Sequence, residues 1–379
     1  MPKIFLISSL VSLLFFQEAI ASTFEERVIE WDIEPWVVDQ IEEEFAPWKN
    51  SGITKEQLAS VEQLPGIAGR FTFINGVFST TPYKAAWTLE LKELLEKLDQ
   101  LWGLPDLDFL ICANSDGFVG AENWPPLKER APILSPASMD FMDGVVSFID
   151  HTISPKEWGR DQWGFFTMIE RIDCPWEHKN MLAYWRGVIS DCLDVHMKDW
   201  LTVETWGTTP RTQLCNYSLL HPDIVDAKHT GWSGERGFSP DLNAAYPPSA
   251  WTPYPPQLQY KYLICADGNT TTYPGYQWRL FSNSVVIKHT SHKYSWFYRG
   301  LKPWVHYIPV ANDFSDLREV VTWCRHHDAL CKQIAANAKA FMKKYQCPEM
   351  YLKYAYLVLL KYAELSMNLK PIASTAPMC

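Results

Sequence analysis

The spacing of apolar positions changes period along the chain, and each change marks an element. Trp87, Leu91, Leu94, Leu95, Leu98, Leu101 and Trp102 recur at the spacing of a helix with one apolar face. Gly103 and Pro105 end that helix, and the unbroken run Leu107 to Cys112 predicts a buried strand. Helix, tight turn and strand in that order form an α/β unit. Upstream, an acidic helical opening includes Asp39 to Phe45, and Thr54 followed by Gln57 has the form of a capping box that starts another helix. Arg70 to Ile74 and Val77 to Ser79 flank Asn75-Gly76, the strongest short signal for a hairpin.

Further on, Val145 to Ile149 and Gly164 to Ile172 are short apolar segments that fit strand or helix. A second α/β series follows from residue 181. It holds a strand ending in Tyr184-Trp185-Arg186-Gly187, a strand over Tyr260 to Cys265, a polar loop from Asp267 to Thr272, and helical residues to Phe281. A strand over Ser284 to Lys288 comes next, then an extended aromatic stretch from Pro303 to Val310. Helices are predicted over Asp316 to Trp323 and Ala329 to Tyr345, with a strongly amphipathic closing helix over Tyr351 to Met367. The Pro- and Gly-rich stretch 231–256 reads as an irregular excursion.

Composition narrows this picture. A chain of 379 residues with 47% hydrophobic and 21% charged positions is that of a folded protein of two domains. A formal charge of −10 argues against a nucleic-acid partner, which needs clustered positive charge. The 18 Trp are more numerous than usual; indole faces stack on sugar rings, although most Trp side chains fill cores. Lys3, the apolar run Ile4 to Phe16 and Ala19-Ile20-Ala21 predict a signal peptide at 1–21, too short for a membrane span. The expected location is the lumen of the secretory pathway or the cell exterior, with no stable membrane span. Nine scattered cysteines suit an oxidising compartment and contain no C-x-x-C pair, so zinc is not expected. Cys324 and Cys331, placed on one predicted helix, stand too far apart to bond each other.

Candidate chemistry gathers at strand ends, where α/β sheets place their ligand crevice. The strand ending at Cys112 runs into Ala113-Asn114-Ser115-Asp116-Gly117. Asp116 there is either a proton acceptor for a substrate hydroxyl or a turn residue in good turn company. Arg186 offers a planar fork suited to a diphosphate, or else a surface ion pair. The loop of Gly268, Asn269, Thr270, Thr271 and Thr272 supplies a glycine, hydroxyls and amides that could cradle phosphate. Asn269 and Asn216 also begin N-glycosylation sequons, and a glycan on Asn269 would block that cradle. Asp106-Leu107-Asp108 is a D-x-D, but at the start of its strand, the wrong end for a catalytic metal; no metal is predicted. His289, His292, His326 and His327 fit no zinc arrangement and read as structural. Asp140 and Asp143 would be the carboxylate pair of a glycoside hydrolase, a weaker reading.

Taken together these residues resemble the family-90 glycosyltransferases, which include the Rumi-type protein O-glucosyltransferases and the fungal capsule-associated xylosyltransferases. The resemblance rests on Leu301-Lys-Pro-Trp-Val-His-Tyr-Ile-Pro-Val310 with Asp313 to Trp323 after it, on Asn283 to Lys288, on Tyr260 to Leu263, and on Trp185-Arg186-Gly187, in that family's order. It covers residues 100–345. It implies a GT-B-like α/β fold: two Rossmann-type domains, 22–180 on the acceptor side and 181–345 binding the nucleotide sugar, facing a cleft, with C-terminal helices at 346–379. It implies an inverting, metal-independent transfer of a hexose or pentose, glucose or xylose, from a UDP-sugar to a hydroxyl of a protein or glycan. No cofactor is implied beyond the UDP-sugar co-substrate. Asp116 falls on the family's catalytic base, Arg186 with Gly187 on its diphosphate site, and Gly268 to Thr272 on its phosphate loop. The chain departs from the pattern at Pro274, where the family carries an Arg; Arg279 is the nearby substitute. The N-terminal cysteine pattern of the animal enzymes is also missing. An inactive UDP-sugar- or glycan-binding protein of the same fold is the alternative.

Overall fold

A computed structural model describes residues 23–62, 68–80, 88–112, 126–140, 142–149, 162–189, 207, 209–232, 244–268, 270–272 and 274–366. The expected signal peptide, Asp116 and Asn269 lie outside the described residues.

The chain opens with α1 (Phe24–Glu30) and α2 (Pro35–Phe45). The capping box then starts α3 (Lys55–Glu62): Thr54 N–H donates to Gln57 Oε1 at 2.9 Å and Gln57 N–H to Thr54 Oγ1 at 3.2 Å. β1 (Ala68–Ile74) and β2 (Val77–Thr80) form the hairpin, with Asn75 at φ 50° and Gly76 at φ 74° as its two-residue turn requires. α4 (Thr88–Trp102) buries Leu91, Leu94, Leu95 and Leu98 and stops at Gly103, which takes φ 72° and donates to Asp99 O at 2.8 Å.

β3 (Leu107–Cys112), β4 (Ile133–Ser135), β5 (Ser138–Met139) and β6 (Val145–Ser147) follow. The first sheet runs β2-β1-β3-β4-β6. Its β3, β4 and β6 are parallel, while β1 is antiparallel to both neighbours. A sheet of Rossmann type was expected, and this one is mixed. A two-residue turn joins only antiparallel strands, so the hairpin imposes that arrangement on one side.

α5 (Gln162–Ile172) resolves the open segment near 164 as helix. The second sheet is built from β7 (Asn180–Ile189), β8 (Val225–Trp232) after α6 (Pro210–Leu220), and β9 (Tyr260–Cys265) after the single-turn α7 (Tyr254–Gln257). α8 (Gly275–Phe281) leads into β10 (Val285–His289), then β11 (Lys293–Tyr294) and β12 (Ile308–Val310). The order is β12-β10-β9-β7-β8, parallel throughout. Both faces are buried: Tyr184 and Leu263 turn to one core, Ala183, Tyr262 and Ile264 to another. The aromatic stretch before β12 is only partly extended, since Trp304 takes φ 63° in a turn closed by its N–H on Tyr307 O at 2.7 Å.

α9 (Leu317–His326) and α10 (Asp328–Tyr345) are separate helices, so Cys324 and Cys331 do not share one. The Cys331 thiol lies 3.7 Å from the Cys324 carbonyl oxygen. The described cysteines are all free thiols.

The last helix, α11 (Pro348–Leu365), corrects an expectation. It is not amphipathic but buried around its whole circumference, from Tyr351 through Tyr354, Leu357, Val358 and Leu359 to Tyr362. Its polar atoms find partners at that depth: the hydroxyls of Tyr354, Tyr356 and Tyr362 donate to the carbonyls of Ser147 (2.9 Å), Gly103 (2.6 Å) and Pro132 (3.0 Å). It thereby packs against α1, α2 and β3. Among the described residues no helix is long and apolar enough to cross a membrane.

A separate two-stranded ribbon links the two sheets. β5, which follows the carboxyl end of β4, pairs with β11, which follows the carboxyl end of β10. Asp140 N–H adds a bond to His292 O at 2.9 Å. The carboxyl edges of both parallel strand sets therefore face one another across a cleft.

Candidate functional site

In the second sheet the strand order reverses between β7 and β9: β8 lies to one side, β10 and β12 to the other. Such a switch point leaves a crevice at the carboxyl ends of the two strands, because the connections that follow them depart in opposite directions. Arg186 and Gly187 come from β7, and the loop Gly268 to Thr272 follows β9. The topology brings the carboxyl end of β7 and the loop after β9 to one crevice.

Arg186 sits inside β7, not at its end, opposite Lys228 of β8. Its Nη1 donates to Trp185 O (2.8 Å) and Asp226 O (2.9 Å), its Nη2 to both Asp226 carboxylate oxygens (3.0 and 2.8 Å). The guanidinium lies 4.4 Å over the Tyr184 ring. This is the ion-pair arrangement, with both terminal nitrogens engaged. Gly187 is required by its neighbour, since a Cβ there would fall 2.6 Å from the Trp185 ring.

Arg211, unmarked in the sequence reading, clamps the crevice from the first turn of α6. It donates through Nε and Nη2 to Ala266 O (3.1 and 2.9 Å) and through Nη1 to Val188 O (2.6 Å), joining the ends of β9 and β7.

The loop after β9 is held from beneath by Asp267, which has no solvent exposure. Lys288 Nζ and Ser291 Oγ each donate to its Oδ2 at 2.5 Å. Thr272 donates to Oδ1 through its N–H and its Oγ1, each at 3.0 Å. The Asp267 N–H donates to His289 Nε2 at 2.7 Å, and Lys293 donates to Gly268 O. Burial alone would push the Asp267 carboxyl up; the Lys288 ammonium, helped by His289, holds it well below the usual carboxylate range. A cavity of about 200 Å³ adjoins this network, lined in part by Tyr276, Lys288, Ser291, Lys293, Tyr298 and Tyr307. One signal for this network stands in the sequence: Lys288 and His289 close an otherwise apolar buried strand.

Arg279 of α8 is 4% exposed. Its Nη1 donates to Gly275 O at 2.8 Å and its guanidinium lies 4.4 Å from the Trp278 ring, while Nε has no partner. Among the described residues no carboxylate pairs with it, and burial lowers its pKa to about 10, still charged at neutral pH. Pro274, the departure noted above, precedes α8 as its N-cap.

The remaining candidates divide clearly. Asp116 is outside the described residues; β3, from which it follows, ends at Cys112 on the carboxyl edge facing the cleft. Asp106 accepts the Asn75 N–H at 2.8 Å and Asp108 pairs with Arg70 at 2.7 Å, so the D-x-D braces the hairpin. Among the described residues no group of His, Cys, Asp or Glu could hold a metal ion. His292 pairs with Asp140 at 2.8 Å, and His327 stacks on Trp323 at 4.3 Å.

The model of Glycosyl transferase family 90 matches residues 34–376. The chain is 30% identical to Protein O-glucosyltransferase 2 of Danio rerio over 272 residues, covering 70% of this chain and 49% of that protein. It is 29% identical to Protein O-glucosyltransferase 3 of Homo sapiens over 282 residues, 72% of this chain and 50% of that protein. It is 28% identical to O-glucosyltransferase rumi of Drosophila pseudoobscura pseudoobscura over 197 residues, 50% of this chain and 43% of that protein. The chain thus spans about half the length of the curated relatives it matches.

Proposed function

The chain belongs to glycosyl transferase family 90, and from that premise we propose that it transfers a sugar, glucose or xylose, from a UDP-sugar to an acceptor hydroxyl. The observation that supports the reading is the switch point between β7 and β9, with the loop after β9 and, beside Thr272 at Gly275, the buried Arg279, which has no acid partner among the described residues. A buried guanidinium lacking a counter-ion is costly, and a diphosphate is a ligand that would neutralise it.

On this reading 181–345 binds the donor, 22–180 faces the acceptor as the other half of a GT-B-like pair, and 346–379 packs back. The reaction is a single in-line displacement with inversion and without metal. Asp116 takes the acceptor's proton as its oxygen attacks the anomeric carbon. Arg279 and the loop stabilise the charge building on the departing UDP. Arg279 is the principal cation because Asp226 occupies the terminal nitrogens of Arg186; Arg186 contributes by exchanging that carboxylate for phosphate. The names of the relatives favour glucose and a protein acceptor, and on this reading the reaction belongs to the secretory pathway.

One departure favours a second reading, a UDP-sugar- or glycan-binding protein without activity: Pro274 stands where the family carries Arg. A panel of UDP-glucose, UDP-xylose, UDP-galactose and UDP in thermal unfolding, with UDP release measured over an acceptor extract, separates the two. Stabilisation with release supports the transferase; stabilisation without release supports the binder; neither effect removes the donor site itself.

A further inference from the structure

Gly268, Thr270, Thr271 and Thr272 belong to no regular element, yet Thr272 is tied back to the buried carboxylate of Asp267, the residue before Gly268. Oδ1 of Asp267 receives the Thr272 N–H and Oγ1, closing the loop on itself, while Oδ2 receives Lys288 Nζ and Ser291 Oγ. Those last two groups stand on β10 and the short connection to β11, the strand that pairs with β5 across the cleft. Thr272 Oγ1 also reaches Ala266 O at 2.7 Å, the carbonyl that Arg211 holds. The carboxylate thus joins the loop, the strand ends and the cleft junction.

We propose that Asp267 is a positioning residue: through Thr272 on one oxygen and Lys288 with Ser291 on the other, it sets the loop in the shape that receives a diphosphate. This rests on the reading of that loop as the donor's phosphate site. An ordinary buried ion pair would support the fold alone, and such pairs add little stability over an apolar replacement. A positioning role has a narrower signature, loss of the phosphate-dependent part of binding.

The test is calorimetric titration of the full chain with UDP and with uridine. Asp267→Asn strands Lys288 without an ionised partner, so Ser291→Ala is the primary variant: it removes one charge-assisted bond and leaves the ion pair in place. Ser291→Ala is expected to bind UDP about tenfold more weakly, with uridine affinity close to wild type; the lost bond to a buried carboxylate also lowers the unfolding temperature, so the split between UDP and uridine carries the test. Ser291→Thr, which keeps the hydroxyl, restores UDP binding. Asp267→Asn, where folded, loses more of the UDP affinity than Ser291→Ala. The proposal is overturned if Ser291→Ala binds UDP as wild type does, or if UDP and uridine weaken together. A wild-type chain that binds UDP no better than uridine fails differently: it removes the phosphate site, and the positioning role with it.

Discussion

Arg279 and Glu44 are two charged groups whose environments make sharp demands. Arg279 has no acid partner among the described residues, so Arg279→Met exchanges an uncompensated cation for an apolar chain of similar length. The unfolding temperature should hold or rise, while UDP affinity falls at least about tenfold. A variant that binds UDP normally would remove Arg279 from the site. Glu44 is partly buried and accepts from Ser147 N–H and Oγ, each at 2.8 Å. Burial raises its carboxyl from 4.5 to about 7, against the pull of those bonds and of Arg299. With the folded value above the unfolded one, its contribution is complete below pH 4.5 and is lost as pH rises through 7, by up to about 3 kcal/mol. Glu44→Gln should therefore flatten the decline in unfolding temperature between pH 5 and 8; equal slopes would refute the assignment. At this scale the sequence exposes residue types but not their partners. Arg186 looked equally suited to phosphate or to an ion pair, and only the register of β7 on β8 brings Asp226 beneath it.

Elements whose cause is local were legible before the fold was. The Thr54–Gln57 box, the Asn75-Gly76 turn and the α4 stripe each depend on residues a few positions apart, and all three stand as expected. Elements whose surroundings are distant in sequence were misread. A tyrosine-rich helix looks two-faced when Tyr and Lys count as its polar side. In α11 the hydroxyls instead meet carbonyls more than two hundred residues away. The mixed first sheet has the same origin, since β1 pairs with β3 across the whole of α4. Tyr362→Phe tests the buried-hydroxyl account: it leaves the Pro132 carbonyl without its donor and should cost about 1–3 kcal/mol. In a denaturant titration the midpoint should fall with the slope unchanged. No change in midpoint would mean that the bond is replaced by solvent or another partner.

At the scale of the molecule, the proposed function requires that the two carboxyl edges cooperate. β5 and β11 pair with each other just after the carboxyl ends of β4 and β10, and α11 packs on β3 of the first sheet, so the cleft is bounded by halves distant in sequence but packed. On the proposed function this arrangement divides the labour: donor binding belongs to the second sheet, proton removal to the first. Asp116→Asn isolates the second task. An amide of the same size cannot accept the acceptor's proton, while the crevice at β7 and β9 is untouched. UDP affinity by titration should match wild type, and turnover of the donor identified by thermal stabilisation should fall about a hundredfold or more. Both halves of the result are needed. Loss of UDP binding together with turnover would mean that residue 116 supports the donor site or the fold, and turnover at the wild-type rate would mean that another group on the first sheet's edge removes the proton.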